Sequence, residues 1–317
     1  MDDGSIPTSV LVTGASGFVG KALAHKLTNQ GYRVTAVSRH PEGSTLFKSN
    51  QVHQYEDSVQ FMTPHSCIVH LAARVHVMSD QADDPLSAFR AANVDVTLNL
   101  ARHAANAGVR RFVFLSSIKV NGEETRPGHP FRADDDCAPH DAYAVSKMEA
   151  EQGLHKIAAE TGLEVVIIRP PLVYGPGVRA NFAALMGAVA RGWPLPFGAV
   201  DNRRSLIALD NLLDFIAVCI AHPAAANQTF VVSDGDDLST PELIRRMARA
   251  IGKTPRLIPV PPWLLKTGAA LFGQQEKLQR LCGNLQIDIS KARELLAWKP
   301  PFSVDECLGR IAAAPPP

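Results

Sequence analysis

The chain has 317 residues and a formal net charge of +1. That length suits one large domain or two closely joined ones with a substantial core. The near-neutral charge offers nothing to nucleic acid or to an anionic membrane. Five scattered cysteines (Cys67, Cys137, Cys219, Cys282, Cys307) lack metal-type spacing and read as free thiols of a reducing compartment. No signal-peptide pattern and no apolar run long enough to span a bilayer is visible, so the expected setting is cytoplasmic. The extreme ends, 1–5 and 315–317, read as disordered.

In chain order, residues 9–13, 33–37, 67–71, 111–115 and 164–169 are short apolar, β-branched runs, with a weaker one at 51–55. Helical patterns at 18–29, 88–107 and 142–161 separate them. Strands apolar on both faces and alternating with helices predict a parallel sheet covered on both sides. After Arg169, the cluster Pro170, Pro171, Gly175, Pro176 and Gly177 signals a loop leaving the sheet. Helices follow at 182–191, 211–221 and 240–251, with short strands at 205–209 and 229–232. A proline-rich stretch at 255–262 precedes a last helical region, and no repeat or flexible linker interrupts the chain.

Thr13-Gly14-Ala15-Ser16-Gly17-Phe18-Val19-Gly20 joins the first strand to the first helix. One glycine makes the tight turn, a second lets backbone N–H groups approach a pyrophosphate, and the third allows helix and strand to touch. The spacing is G-x-x-G-x-x-G, not the dehydrogenase G-x-G-x-x-G. The carboxylate that grips an adenosine ribose is missing after the second strand, where Ser38 and Arg39 stand. Arg39 could pair with a 2′-phosphate while Ser38 donates to it, which favours NADP over NAD. The alternative is that Arg39 only ends the strand in solvent.

Tyr143 and Lys147 lie four apart in a helical pattern and share one face. A nearby ammonium favours the phenolate, which predicts a lowered tyrosine pKa and proton transfer at a sugar hydroxyl. Residues 112–117 form a buried strand ending in Ser116 and Ser117, and ligands of open α/β sheets sit beyond such strand ends.

With these residues in this order, the sequence resembles the extended short-chain dehydrogenase/reductases in the UDP-galactose 4-epimerase branch. The resemblance covers nearly the whole chain. Gly14, Gly17 and Gly20, with Ser16, Phe18 and Val19, match the cofactor turn. His70-Leu71-Ala72-Ala73 matches the segment along the cofactor, and Asn93 matches the asparagine of an Asn-Val-x-x-Thr helix. Ser117, Tyr143 and Lys147 match the catalytic serine, tyrosine and lysine, and Arg169-Pro170 resembles the strand end near the nicotinamide. Ser116 joins the cofactor-binding set on the same grounds. Val173-Tyr174-Gly175-Pro176-Gly177 looks like the loop into the sugar-nucleotide lobe, and Arg204 matches the arginine on the substrate diphosphate. The tail Leu296-Ala297-Trp298-Lys299-Pro300 is similar to the family's Leu-Gly-Trp-x-Pro.

The family implies a Rossmann-type doubly wound parallel α/β sheet with a smaller α/β substrate-binding lobe. Residues 5–175, with returning elements near 205–221, would bind the dinucleotide, and 176–317 would form the interleaved nucleotide-sugar lobe. Asn121 stands where the branch usually carries tyrosine. Ser-Ser-Ile-Lys-Val-Asn-Gly with Arg169-Pro170-Pro171-Leu172-Val173-Tyr174 resembles a polysaccharide-pathway subgroup of UDP-4-keto-6-deoxyhexosamine 4-reductases. The leading expectation is therefore an NADP-dependent 4-reductase. A UDP-hexose or UDP-N-acetylhexosamine 4-epimerase is the alternative, and a non-catalytic nicotinamide-binding regulator a remote third.

Asn181 could bond the diphosphate or cap a helix starting near Phe182, and Arg204 has an ordinary reading as a solvated loop charge. Arg74 and His76 could reach the sugar, though either fits an ordinary loop. The acidic run Asp134-Asp135-Asp136 reads as a solvated loop, and no metal is expected. The partner expected is a UDP-linked nucleotide sugar, without nucleic acid or membrane insertion, in a chain that relatives suggest can form a homodimer. Arg39→Ala is expected to weaken NADPH more than NADH in a fluorescence titration. An equal loss for both would undo the 2′-phosphate argument.

Overall fold

The computed structural model describes residues 9–38, 52–53, 66–75, 84–178 and 180–314. Arg39 and His76 lie outside them, as do residues 1–5 and 315–317 and most of the weak strand at 51–55. The first elements are β1 (Ser9–Thr13), α1 (Phe18–Asn29), β2 (Arg33–Val37), β3 (Val52–His53) and β4 (Cys67–His70). A helical rod follows in three pieces: α2 (Pro85–Phe89), a π-helical turn (Arg90–Asp95) and α3 (Val96–Asn106). Then come β5 (Arg111–Leu115), α4 (Ala142–Thr161) and β6 (Glu164–Arg169). The second half holds β7 (Val173–Tyr174), α5 (Ala180–Ala190), β8 (Pro194–Leu195), β9 (Ile207–Ala208), α6 (Leu209–Ala221) and β10 (Gln228–Val231). It ends with α7 (Thr240–Ala250), β11 (Arg256–Leu257), α8 (Pro262–Leu271), α9 (Gln275–Cys282), α10 (Ser290–Leu296) and α11 (Val304–Ala313).

Seven strands form one sheet in the order β3-β2-β1-β4-β5-β6-β10, with every pair parallel. The strand order reverses between β1 and β4, and a crevice opens there beyond their carboxyl ends. Alternation along the strands explains the two-sided burial. Val10, Val12, Val69 and Val166 pack with Leu23 and Leu27 of α1 and Leu212, Phe215 and Ile216 of α6. The intervening Leu11, Ile68, Phe112, Phe114 and Ile167 pack on the other face with Leu100 of α3 and Leu154 of α4. A third core joins Tyr174, Phe182, Leu206, Ile244, Met247 and Leu308 in the C-terminal half.

The chain's last third returns to the sheet. Trp298 stacks edge-on against Phe215, with ring centroids 4.8 Å apart, and its indole N–H donates to Asp214 at 3.0 Å. The helix expected over 88–107 departs from the reading, because the π turn interrupts it. Its backbone bonds shift there while Thr97 gives its hydroxyl proton to the Asn93 carbonyl at 2.6 Å. The helix expected from Phe182 starts earlier, at Ala180. Asn181 therefore lies inside it, exposed, and caps nothing at Phe182.

His70 ties β4 to its neighbours. Since the Thr97 hydroxyl donates to Asn93, its oxygen accepts from His70 Nε2 at 3.0 Å, leaving Nδ1 to accept from Thr13 at 2.7 Å. The ring is buried and lies nearly parallel to Phe114, 5.9 Å away. Burial, aided by the Lys147 charge, pulls its pKa down to about 3 from an ordinary 6.5. The unfolded chain thus takes up a proton that the fold refuses. Stability owed to neutral His70 is complete above the unfolded value and drains away as pH falls towards the folded one. In His70→Gln, the gap in unfolding free energy between about pH 7 and pH 5 is expected to shrink by roughly 2 kcal/mol. Urea titrations at the two pH values measure it, and an unchanged gap would show that the ring is charged in the fold.

Candidate active site

The glycine turn sits in the crevice between β1 and β4. Gly14 has φ of +69°, and a Cβ there would lie 2.7 Å from the Ala72 nitrogen. A Cβ on Gly20 would come within 2.1 Å of the Gly14 carbonyl oxygen, and one on Gly17 within 3.1 Å. Gly17 N–H donates to that same oxygen at 2.9 Å, closing the turn. Gly17 caps α1 without any side-chain acceptor, and the first turn, including Phe18 and Val19, holds no acidic residue. The N–H groups at this helix start meet no side-chain acceptor, a setting that suits an anion. Leu71 N–H donates to the Thr13 carbonyl at 3.3 Å, which lays Leu71, Ala72 and Ala73 alongside the turn. Ser38 is buried and donates to Ser16 at 2.7 Å, so the end of β2 is also fixed to the turn.

Across the crevice, Asp141 caps α4 by accepting from Ala144 N–H at 2.7 Å. Its other oxygen accepts from Lys119 Nζ at 2.5 Å. Tyr143 follows in the first turn, half-buried, with the Ser117 hydroxyl near enough to favour its phenolate. Lys147 stands one turn on, buried, and donates to the Leu115 carbonyl at 2.9 Å. Its ammonium lies 4.4 Å from the centre of the Phe114 ring. Ser117, Tyr143 and Lys147 are thus together at the tip of β5, beside the switch point.

The expected lowering of the tyrosine pKa is not found. Burial pushes the Tyr143 phenol up to about 12, the Asp141 charge adds to the rise, and the nearby Ser117 hydroxyl opposes it. Burial also pulls Lys147 down to about 7, against the opposing pull of Glu151. A desolvated ammonium loses much of its advantage in the same low-dielectric site that disfavours the phenolate.

Other expected residues take more structural places. Ser116 is buried and donates its proton to Glu151, away from the crevice. Asn93 is buried and clamps Arg74, accepting from its N–H at 2.7 Å and donating to its carbonyl at 3.0 Å. A further bond to Ser146 at 3.0 Å ties Asn93 to α4. The Arg74 guanidinium lies 5.5 Å over Phe89, whose ring meets Tyr143 edge-on at 6.1 Å. Pro170 is buried and its carbonyl accepts from Ile118 at 3.0 Å, fixing the loop after Ser117.

A cavity of about 490 Å³ adjoins this site, lined among others by Lys119, His140, Asp141, Arg204, Gln279 and Arg280. Arg204 reaches it from the C-terminal half and donates to the Gly283 carbonyl at 2.9 Å. Exposed Asn181 is not among the residues lining it. Sequence reading missed Lys119 and Arg280, cations that only the fold brings beside Arg204. It also missed the buried partners of Ser116. Among the described residues, no cluster of three metal-ligating groups is present, and no helix is long and apolar enough to cross a membrane.

The glycine cradle, the bare helix start and the sheet order fit a dinucleotide. The chain is similar over nearly its whole length to known proteins. A UDP-glucose 4-epimerase of Vibrio cholerae is 46% identical over 317 residues, covering 98% of this chain and 97% of the relative. A UDP-glucose 4-epimerase of Mycolicibacterium smegmatis is 30% identical, covering 95% and 96%. Among solved structures, UDP-glucose 4-epimerase of Thermotoga maritima with UDP-glucose aligns with a TM-score of 0.75 at 23% identity, covering 96% and 97%. UDP-N-acetylglucosamine 4-epimerase of Bacillus cereus aligns at 0.76 and 19% identity, covering 96% and 98%, a likeness of fold. The profile of the NAD dependent epimerase/dehydratase family matches residues 10–233. The chain belongs to that family, as a UDP-glucose 4-epimerase-like short-chain dehydrogenase/reductase.

Proposed function

We propose that this protein is a 4-epimerase of a UDP-linked hexose or N-acetylhexosamine that keeps NAD bound through each turnover. The observation that carries the reading is the grouping of Ser117, Tyr143 and a buried Lys147 at the tip of β5 and on one face of α4, in a chain 46% identical to a UDP-glucose 4-epimerase. When bound, the nicotinamide ring supplies a place for the hydride leaving C4. Tyr143 takes the proton of the C4 hydroxyl and later returns it to the same oxygen, once the sugar has turned to present the other face of C4. Ser117 donates to the reacting oxygen, and Lys147 holds the cofactor ribose. The turn at Gly14, Ser16, Gly17 and Gly20 receives the pyrophosphate at the start of α1. Arg204, which lines the cavity, receives the UDP diphosphate. In this reading residues 5–175 serve the dinucleotide and 176–317 serve the nucleotide sugar.

A phenol at about 12 is protonated near neutral pH. It is ready to give a proton to a C4 ketone, which favours the 4-reductase as the second reading. The empty place of a carboxylate after β2 points the same way, towards NADP. For the epimerase, positive charge close to the ring must bring the phenol down. Lys147 and an oxidised nicotinamide both pull in that direction.

The purified protein is incubated with UDP-glucose or UDP-N-acetylglucosamine and no added cofactor. Appearance of the 4-epimer by chromatography is expected. No epimer, together with NADPH oxidation on a UDP-4-keto sugar, would replace this reading with the reductase. Tyr143→Phe is expected to cut kcat by about 10²–10⁴, the worth of a placed acid–base group. Near-normal turnover in that variant would remove Tyr143 from the chemistry.

A further inference from the structure

Behind the site lies a buried charge pair that the proposed chemistry leaves unused. Glu151 and Arg169 are both nearly sealed from solvent. Arg169 Nε donates to the two Glu151 oxygens at 3.0 and 3.1 Å, and Nη2 donates to Oε2 at 2.5 Å. Ser116 adds a fourth hydrogen bond, to Oε1. The remaining Arg169 nitrogen donates to Asn121 Oδ1 at 3.0 Å, in the place where the branch usually has tyrosine. Asn121 in turn donates to the Arg132 carbonyl at 2.8 Å.

Such a pair is poor value as a stabiliser. Removing two charges from water costs about what their attraction returns, and apolar replacements often hold a fold as well or better. Its geometry suits another task. Tyr143, Lys147 and Glu151 follow at intervals of four along α4 and line one face of the helix. Donors to Glu151 come from the tip of β5, next to Ser117, and from the end of β6.

We propose that Glu151 is a positioning residue of this site: fixed by Arg169 and Ser116, it supplies the negative charge that holds the Lys147 ammonium in place. The proposal rests on the reading of Tyr143 and Lys147 as the working pair. The groups around Lys147 are few. Tyr143 and Glu151 share its helix, the Leu115 carbonyl and the Phe114 ring face it from β5, and neutral His70 faces it from β4. Arg169 of β6 stands behind Glu151. Burial pulls Lys147 down to about 7, and Glu151 is the charge that resists. Without that charge, fewer molecules carry the ammonium at neutral pH.

Glu151→Gln alone strands Arg169 without a counter-charge and is expected to melt early. The informative variant is Glu151→Gln/Arg169→Met, which removes both charges, with Glu151→Asp as the conservative control. Thermal melting and circular dichroism first establish that each is folded. In the folded double variant, the alkaline limb of the kcat profile moves down by about half to one pH unit. At about pH 8, kcat falls roughly three- to tenfold while the sugar KM stays within about twofold. Glu151→Asp returns the limb towards the wild-type position. NAD affinity by calorimetry, read against pH without any sugar, shows the same displacement. An unmoved limb and an unmoved affinity profile in folded double variant would overturn the proposal. Wild type that turns over no sugar would sink the epimerase reading, while the affinity profile still judges Glu151.

Discussion

Two stretches of backbone nearly touch at the head of this sheet, and the rest of the arrangement depends on that approach. The turn after β1 and the segment after β4 close to a distance that leaves no room for a Cβ at Gly14, and the turn's own backbone leaves none at Gly20. Because both positions lack a side chain, α1 can start directly above the switch point with its N–H groups uncapped. His70 then locks the same two strands to α3 through paired threonines. A hydrogen-bonded ring, buried and uncharged, serves there as a spacer with polar ends. The crevice is thus shaped by steric necessity on one side and by a satisfied polar chain beneath.

The opposite wall is governed by charge more than by shape. α4 carries a phenol, an ammonium and a carboxylate in sequence, the first half-buried and the other two buried. Low dielectric raises the stakes of each protonation state, so Tyr143 and Lys147 sit away from their ordinary values before any ligand arrives. A ligand bringing its own charge changes that balance far more than it would at an exposed site. The cavity lined by Lys119, Arg204 and Arg280, and by the carboxylates Glu123, Asp141 and Glu276, lies at the same end of α4. In the proposed reading, substrate and cofactor charges would meet these ionisable groups over a short distance.

Much of this was legible in the residues. The five main strands and the helices at 18–29 and 142–161 stood out because their apolar patterns match their periods and their ends carry turn residues. The glycine turn and the Ser117, Tyr143, Lys147 set were readable because spacing alone puts them at strand ends and on one helix face. Long-range partnerships were not. Nothing local joins Ser116 to Glu151, or Arg204 to the Gly283 carbonyl, since the sheet and the returning tail bring them together. The tyrosine shift was misread for a related reason. Spacing announces a nearby ammonium but says nothing about desolvation, which proved larger. Glu151 left one trace, its place four residues beyond Lys147.

The π-helical turn at Arg90–Asp95 has an effect on the whole rod from Pro85 to Asn106. One extra residue per turn rotates everything beyond it by about 100° relative to an unbroken helix. Phe89 ahead of the turn is aimed at Tyr143, while Leu100, Ala101 and Ala104 beyond it are aimed at the sheet. The rod is two helices in different phase on a common axis, and Asn93 sits at the phase break with its side chain turned to Arg74. Deleting a single residue there would leave helix content almost unchanged while swinging one of those two faces out of contact.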